Sequence, residues 1–164
     1  MSLVLVGGEE FLIDQKHLKT IQAHNWWLNK VGSTYYLYGR IKGERTSFHR
    51  LITGAPKGTT VDHINGNTLD NRLSNLRICS HAENLRNRGK TKTNRSGFKG
   101  VCWFKRDKKW HAQITVNYKR LHLGYFSDKK EAARVYDIAA RKYFGRFAQL
   151  NFSNTSIQNL ISNA

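Results

Sequence analysis

The residues of this 164-residue chain that could carry chemistry concentrate between positions 61 and 86. An aspartate and a histidine are adjacent at Asp62 and His63, and two asparagines follow at Asn75 and Asn84. A histidine can act as a general base towards water, and carboxylate and amide oxygens are hard ligands that suit magnesium. These are the residue types that metal-assisted hydrolysis of a phosphodiester requires.

The elements that must position these residues are a strand, a turn, a second strand and a helix. Asn65-Gly66 is a strong turn signal, and Ser80-x-x-Glu83 has the spacing of a capping box at a helix start. The alternative is that D-H-I-N-G is a structural hairpin, because Asp and Asn favour turns by bonding their own backbone. A functional site is favoured because Asn75, the Ser80 cap and Asn84 follow this turn in the order that such a site requires.

Geometry places a demand on this site. Neighbouring residues of a strand point to opposite faces, so Asp62 and His63 reach one cleft only if the strand bends at its end. The returning strand would bring Asn75 to the His63 ring, where a hydrogen bond would fix the tautomer. Asn84 lies one turn inside the helix, and its side-chain oxygen could join the Asp62 carboxylate as a metal ligand.

Upstream of the site, the pattern predicts a strand at 11–13, a helix capped by Asp14, a hairpin around 42–44 and a helix that begins near His49. Pro56 is expected to end that region.

The balance of charge points to a polyanionic partner. The chain has 28 Lys and Arg against 11 Asp and Glu, a net charge of +17 and a pI of 10.2. It has no apolar run long enough for a membrane span, and its first residues do not resemble a secretory signal, so an intracellular protein is expected. Cys79 and Cys102 cannot build a disulfide framework or a Cys-rich site, so no structural zinc is expected.

Residues 86–97 hold five Lys or Arg and no acidic residue, which predicts a flexible basic linker. We therefore expect a first domain at 1–85, a second domain at 98–152 and a tail at 153–164. The second domain is predicted to contain three antiparallel strands, with turns at 106–109 and 117–119, and then a helix capped by Ser127 or Asp128. If Ala112, Ile114 and Val116 face the helix, alternation directs the following residues outward: His111, Gln113, Thr115, Arg120 and His122.

The first segment resembles the ββα-metal motif of HNH nucleases, in the homing-endonuclease branch found in phage introns. The resemblance covers roughly residues 26–86. Its motifs are F-H-R-L-I at 48–52, D-H-I-N-G-N at 62–67, N-x-x-x-N-L-R at 71–77 and E-N at 83–84.

The resemblance implies that His63 is the general base and that Asn75 orients it. It also implies that Asp62 and Asn84 bind one Mg2+ or Mn2+. Asn84 occupies the position of the final His in the H-N-H pattern that gives the family its name. No catalytic role is assigned to His49 or Arg50 in the F-H-R-L-I motif; each is expected to contact phosphate or to pack.

The second segment, about residues 96–152, resembles the APETALA-type, or ethylene-response-factor, DNA-binding domain of plant transcription factors. In that family the exposed sheet face lies in the major groove. Cys102, Thr115 and His122 replace residues typical of the family, so its preferred DNA sequence is not carried over. The motifs are F-K-G-V at 98–101, W-x-A-x-I at 110–114, L-G-Y-F at 123–126, E-A-A-R-x-Y-D at 131–137 and L-N-F at 150–152.

Predicted DNA contacts fall into two groups. The five outward sheet residues are expected to meet the bases, and basic side chains around them are expected to meet phosphates. The basic residues are Arg86, Arg88, Lys90, Lys92, Arg95, Lys99 and Arg106; a solvated charge run remains the alternative for those before residue 97.

The expected protein is therefore an α+β chain with an N-terminal ββα-metal HNH nuclease domain, a basic linker and a C-terminal three-stranded sheet packed on one helix. It would act as a monomer on double-stranded DNA, without a membrane or a small-molecule cofactor, and nick one strand to leave 5′-phosphate and 3′-hydroxyl ends. A homing role and a bacterial or phage-infected cytoplasm follow from resemblance alone. The alternatives are a non-catalytic DNA-binding protein with a remnant HNH fold and an RNA-binding module.

Overall fold

The computed structural model describes residues 1–91 and 93–152. Within them, ten strands in four antiparallel sheets combine with four helices in a mixed α+β fold. The chain divides into two compact units, Met1–Leu85 and a second that begins at Arg86. No helix in the described ranges is long and apolar enough to span a membrane. Two sequence predictions, for Lys92 and for the tail at 153–164, lie outside the described residues.

Up to residue 86, the chain builds three small sheets: β1 with β2, β3 with β4 and β5, and β6 with β7. The strands are β1 Ser2–Val6, β2 Glu9–Ile13, β3 Trp26–Val31, β4 Thr34–Ile41, β5 Glu44–Ser47, β6 Thr60–His63 and β7 Leu76–Cys79, and the helices are α1 Leu18–Gln22, α2 Phe48–Thr53 and α3 His81–Arg86.

The core of the first unit forms where β2, β4 and α2 meet. Phe11, Ile13, Leu37 and Phe48 are at most 1 % exposed, and alternation along β2 sends two of them inward. The predicted strand at 11–13, the hairpin around 42–44 and the helix near His49 are confirmed. This core holds β4 and α2 in place, and α2 contacts the strands β6 and β7, of which β6 contains Asp62 and His63.

One local prediction in the first unit is wrong. Asp14 does not cap a helix with its side chain; its Oδ2 accepts a hydrogen bond from the backbone N–H of Leu73, 2.8 Å away. Here a contact between distant parts of the chain overrides a local preference.

The predicted turn at Asn65-Gly66 is confirmed, because the N–H of Gly66 donates to the carbonyl of His63 at 2.9 Å. The turn opens a longer loop, 64–75, and the second strand, β7, begins only at Leu76.

The second unit is a three-stranded antiparallel sheet with one long helix packed on it, in the strand order β10-β9-β8. Asp128 caps the helix by accepting from the N–H of Glu131 at 3.1 Å, as predicted. The elements are β8 Val101–Phe104, β9 Lys109–Val116, β10 Lys119–Phe126 and α4 Lys129–Phe144.

Alternation along β9 sorts its side chains as the sequence predicts. Ala112 and Ile114 are buried on the α4 side, and Val116 packs against the same core. In β10 the register shifts between His122 and Gly124, so a β-bulge interrupts the ladder. The sheet therefore has one face covered by α4 and one that no part of the described chain covers with a second layer.

Residues 94–98, where the predicted linker meets this sheet, form a hydrogen-bonded turn. Asn94 accepts from the N–H of Gly97 at 2.9 Å and donates to the carbonyl of Phe98 at 2.7 Å. Ser96 is 4 % exposed; its hydroxyl lies 3.0 Å from both the carbonyl and the backbone nitrogen of Phe98, and 2.9 Å from Oδ1 of Asn94. Asn and Ser side chains replace backbone partners in such turns.

Asp137 on α4 is fully buried and accepts hydrogen bonds from the backbone N–H groups of Asn151 and Phe152 and from the Asn151 side chain. We predict that Asp137→Ala lowers the free energy of unfolding of the second unit by about 2–4 kcal/mol, because several buried donors lose their acceptor. Urea denaturation of both proteins measures this change. Asp107→Ala, at an exposed ion pair, is the control, and equal losses in the two variants would contradict the prediction.

Candidate functional site

Strand β6 presents Asp62 and His63 on opposite faces of its ladder with β7. Asp62 lies opposite Arg77 and His63 lies opposite Leu76, and both side chains are 5 % exposed. His63 is the last residue of the strand. The aspartate and the histidine therefore occupy different surroundings at the point where the ladder ends.

Two aromatic rings from other elements surround His63. The His49 ring, from α2, lies 5.3 Å from the His63 ring, and the Tyr36 ring, from β4, lies 6.3 Å away. Tyr36 and His49 also contact each other at 5.7 Å. The imidazole of His63 is thus held sterically between the second sheet and α2.

A hydrogen bond fixes the tautomer of His63. Its Nε2 lies 3.2 Å from Oδ1 of Asn71, whose Nδ2 points to the carbonyls of Thr68 and Leu69 at 3.3 and 3.4 Å. Because the amide nitrogen faces two carbonyls, Oδ1 must face the ring, and Nε2 must carry the proton. The lone pair then resides on Nδ1. Burial lowers the pKa of His63, although the Asn71 bond and the Asp62 carboxylate act in the opposite direction.

The sequence predicts a hydrogen bond between Asn75 and the His63 ring, but the side chain of Asn75 has other partners. Its Oδ1 accepts from the N–H of Asn65 at 3.0 Å, and its Nδ2 donates to the carbonyl of Asp70 at 2.8 Å. The strand register explains why Asn75 does not reach the ring, because Leu76 and not Asn75 lies opposite His63. Asn75 instead stabilises the loop that contains Asn71.

Asp62 is engaged in a buried ion pair. The Nε and Nη2 atoms of Arg77 lie 2.8 and 2.6 Å from Oδ2 of Asp62, with side chains 11 % and 6 % exposed. The charge of this buried carboxylate is therefore balanced by a guanidinium from the neighbouring strand.

The predicted capping box at the start of α3 is confirmed. The N–H of Glu83 donates to the Ser80 hydroxyl at 3.2 Å, and the N–H of Ser80 donates to Glu83 Oε2 at 2.8 Å. Asn84 continues the helix through its N–H bond to the carbonyl of Ser80 at 3.0 Å. The cap therefore anchors the first turn of the helix that carries Asn84.

The predicted metal ligands are Asp62, which is buried, and Asn84, which is half-buried on α3. One carboxylate and one amide oxygen suit magnesium or manganese, which readily complete their coordination with water and phosphate oxygens. In the part of the chain that the structure describes, no group of three or more His, Cys, Asp or Glu side chains is placed to hold a metal. An ion at this site would therefore take most of its ligands from solvent and substrate.

His49, which the sequence predicts to contact phosphate or to pack, packs beside His63. It is 9 % exposed, and its Nε2 lies 3.2 Å from the hydroxyl of Ser47. Burial lowers its pKa to about 3, with His63 and Arg50 as smaller causes, so the ring stays neutral. Its place in F-H-R-L-I was the available signal, but nothing local indicates that α2 packs on β6.

Arg50, the next residue, stabilises the loop that leads into β6. Its guanidinium donates to the carbonyls of Thr59, Ala55 and Pro56 at 2.6, 3.1 and 2.9 Å. Three bonds to one loop hold the chain as it enters β6.

On the uncovered face of the second sheet, imidazole and phenol rings form a cluster. Nε2 of His111 lies 2.7 Å from Nδ1 of His122, and their rings are stacked at 4.8 Å. The Tyr125 ring lies 5.0 and 4.8 Å from the two imidazoles, and Cys102 Sγ lies 3.8 Å from His111 Nδ1. Burial, then His122 and Arg120, lowers the pKa of His111.

The other predicted base-reading residues lie on the same face. Register pairs Arg120 with Thr115 and His122 with Gln113, so the ladder brings all five predicted residues together. Arg120, Thr115 and His122 are exposed, whereas Gln113 is half-buried.

The predicted phosphate contacts are less uniform. Lys99 is largely withdrawn from solvent; its ammonium donates to the carbonyl of Arg86 at 2.7 Å, and burial lowers its pKa to about 8. Arg106 is ion-paired with its neighbour Asp107 at 2.9 Å. Lys90 donates to the carbonyl of Gly97 at 3.0 Å. Among the members of the set that the structure describes, Arg88, Lys90, Arg95 and Arg106 are exposed.

Residues 48–86 match the family model described as HNH endonuclease, a range that contains His49, His63, Asn71 and the capped α3. The chain belongs to the same family as protein 3.8 of Escherichia phage T7, to which it is 35 % identical over 94 residues, 57 % of this chain and 77 % of the relative. It is also 28 % identical to an uncharacterized HNH endonuclease of Acanthamoeba polyphaga mimivirus over 133 residues, 80 % of this chain and 68 % of the relative.

A shorter C-terminal part is similar to plant proteins. It is 50 % identical over 44 residues to an AP2/ERF and B3 domain-containing protein of Oryza sativa, which is 27 % of this chain and 12 % of that protein. The HNH matches indicate a nuclease, and together with the AP2-like matches they point to DNA as the partner.

The neutral, buried His49 predicts how stability depends on pH. Its pKa in the folded chain, about 3, lies below the ordinary value of 6.5, so only the unfolded chain gains this proton as the pH falls between those values. The stability that it contributes is complete above the higher value and is lost towards the lower one.

We predict that His49→Gln flattens the fall in unfolding free energy between about pH 6 and about pH 4, by up to about 1.4 kcal/mol per pH unit. Urea denaturation at several pH values measures the slopes, and His24→Gln, at an exposed position, is the control. A slope identical to that of the unmodified chain would contradict the prediction.

Proposed function

We propose that this protein is a site-specific DNA endonuclease that hydrolyses phosphodiesters at a one-metal, ββα-metal HNH site. One observation carries the proposal: inside the HNH match, the His63 ring is fixed in one tautomer by Asn71 and packed against His49, with Asp62 next to it in the chain. A neutral imidazole held in this way can accept a proton from water.

His63 would act through its Nδ1 atom. That nitrogen takes a proton from a water molecule, whose oxygen attacks the phosphorus as the bond to the 3′ oxygen breaks, and the departing 3′ oxygen takes a proton from solvent. The products are a 5′-phosphate and a 3′-hydroxyl. Asn71 keeps Nε2 protonated throughout, and the rings of His49 and Tyr36 keep the imidazole in place.

Asp62 and Asn84 are the side chains that would hold Mg2+ or Mn2+. When bound, such an ion stabilises negative charge on the phosphate and on the departing oxygen. Asn75 would act one step further away, as a positioning residue for the loop between β6 and β7.

The second unit would supply the specificity. A three-stranded sheet with an uncovered face can enter the major groove of double-stranded DNA, where side chains read base edges. Its proposed reading residues are His111, Gln113, Thr115, Arg120 and His122; the exposed basic residues before the sheet would contact phosphates.

One site per chain favours a monomer that nicks one strand. A homing or mobile-element role, in a bacterial or phage-infected cytoplasm, is the biological setting that we infer from the family resemblance and the phage relative.

The competing function is a non-catalytic DNA-binding protein with a remnant HNH fold. The buried Asp62–Arg77 pair favours it, because a carboxylate already neutralised by a guanidinium is a weaker metal ligand. Cleavage assays separate the two functions.

We predict that the unmodified chain nicks supercoiled plasmid with Mg2+ or Mn2+ when the plasmid contains a site selected from random duplexes by binding. His63→Ala and Asp62→Ala should each lower the nicking rate at least about 100-fold at equal DNA occupancy, because one loses the base and the other a metal ligand. His24→Ala, which removes an exposed imidazole, is the matched control. If the unmodified chain binds the selected site and never cuts it, the DNA-binding function replaces the nuclease.

We predict that Arg120→Ala weakens binding of the selected duplex at least about 10-fold. If the guanidinium contacts a phosphate, the variant also lowers the salt dependence of binding. Lys130→Ala removes the same charge from an exposed position on α4, behind the sheet, and should have a much smaller effect. Fluorescence anisotropy at several salt concentrations measures both. Equal effects of the two variants would exclude the uncovered sheet face as the DNA surface.

A further inference from the structure

Arg77 is placed to control the metal site. It lies directly opposite Asp62 in the β6–β7 ladder, and its Nε and Nη2 atoms both lie close to one carboxylate oxygen, Oδ2. The two side chains are 11 % and 6 % exposed, so little solvent screens the attraction between them. A second ion pair near the same hairpin, Arg72 with Asp70, leaves the arginine 35 % exposed.

The charges around Asp62 do not favour a cation in the free protein. Affinity for a divalent ion rises with the number of negative ligands, and the proposed site contributes a single carboxylate and the neutral amide of Asn84. Arg77 cancels the charge of that carboxylate. The whole chain carries a net charge of +17, which adds a long-range repulsion.

Bound DNA changes this balance. A phosphate at the site adds negative charge and oxygen ligands, and it also offers the guanidinium of Arg77 an alternative anionic partner with matching geometry. The carboxylate of Asp62 then gains capacity for the ion. Release of Arg77 from Asp62 and binding of the metal ion are each unfavourable in the free protein. They become favourable together when a phosphate is bound.

We propose that Arg77 makes metal binding at Asp62 dependent on DNA, by acting as the counter-ion of the carboxylate until a phosphate arrives. The inference rests on the proposed function and adds a residue and a means of regulation to the same site. It also requires reciprocity: a duplex must raise metal affinity by the same factor by which the metal raises affinity for the duplex.

The first test measures Mn2+ binding without DNA, from the electron paramagnetic resonance signal of the free ion. Arg77→Met keeps an apolar stem and removes the counter-ion, so it should bind Mn2+ at least about 10-fold more tightly than the unmodified chain, a coupling of ordinary size. Arg72→Met, which removes the same charge from the partly exposed partner of Asp70, is the matched control and should change affinity less than about 3-fold. A folded Arg77→Met chain that binds no more tightly than the control overturns the proposal.

Arg77→Met leaves a buried carboxylate unpaired and can therefore unfold the hairpin, which circular dichroism detects. The second test avoids this risk by using the His63→Ala chain, which cannot cleave, with a short selected duplex. Its affinity for Mn2+ should rise at least about 10-fold with the duplex, after subtraction of binding to the duplex alone. Further replacement of Asp62 by Asn should remove the increase.

The outcomes separate this inference from the proposed function. Equal Mn2+ affinity with and without the duplex, at a site that requires Asp62, overturns the role of Arg77 and leaves the nuclease intact. No binding that depends on Asp62 in any chain, even with the duplex, overturns the metal site and the proposed catalytic function with it.

Discussion

The buried amide of Asn71 is the contact on which the arrangement of the site depends. Its side chain is 1 % exposed and touches His63 on one side and the loop carbonyls of Thr68 and Leu69 on the other. Its backbone N–H donates to the carbonyl of Leu12 at 2.7 Å, which attaches the loop to β2. A buried amide that lost any of these partners would leave a polar atom unsatisfied, so the ring, the loop and β2 are held together.

This network explains which parts of the first unit the sequence predicts and which it does not. Hydrophobic alternation predicts β2, the Ser80-x-x-Glu83 spacing predicts the start of α3, and the order of the polar residues predicts a site at 62–84. Local signals misplace the partners of Asp14 and Asn75, because both bond to backbone groups that only the tertiary fold brings near. The loop 64–75 contains several side chains able to bond a histidine, and the sequence does not distinguish which of them reaches the ring.

The second unit is easier to predict because its pattern is regular. Period-two alternation in β9 and a capped helix leave one face covered and one uncovered. What composition cannot predict is the behaviour of its polar residues: Lys99 turns inward to a carbonyl, and the segment before the sheet folds on Asn94 and Ser96. Charge counts alone therefore overstate how much of the basic surface is available to a polyanion.

The β-bulge in β10 also constrains how the chain can evolve. The extra residue between His122 and Gly124 resets the phase of the strand, which brings Tyr125 opposite His111 and into contact with His122. Loss of the one extra residue at the bulge would restore a regular ladder and leave Gly124, Tyr125 and Phe126 opposite the same residues of β9. The same loss within the regular part of a strand would instead shift the residues beyond it by one position and turn their side chains to the other face. Single-residue insertions and deletions among descendants should therefore collect at the bulge and in the turn at 117–118, while the rest of the sheet surface diversifies by substitution.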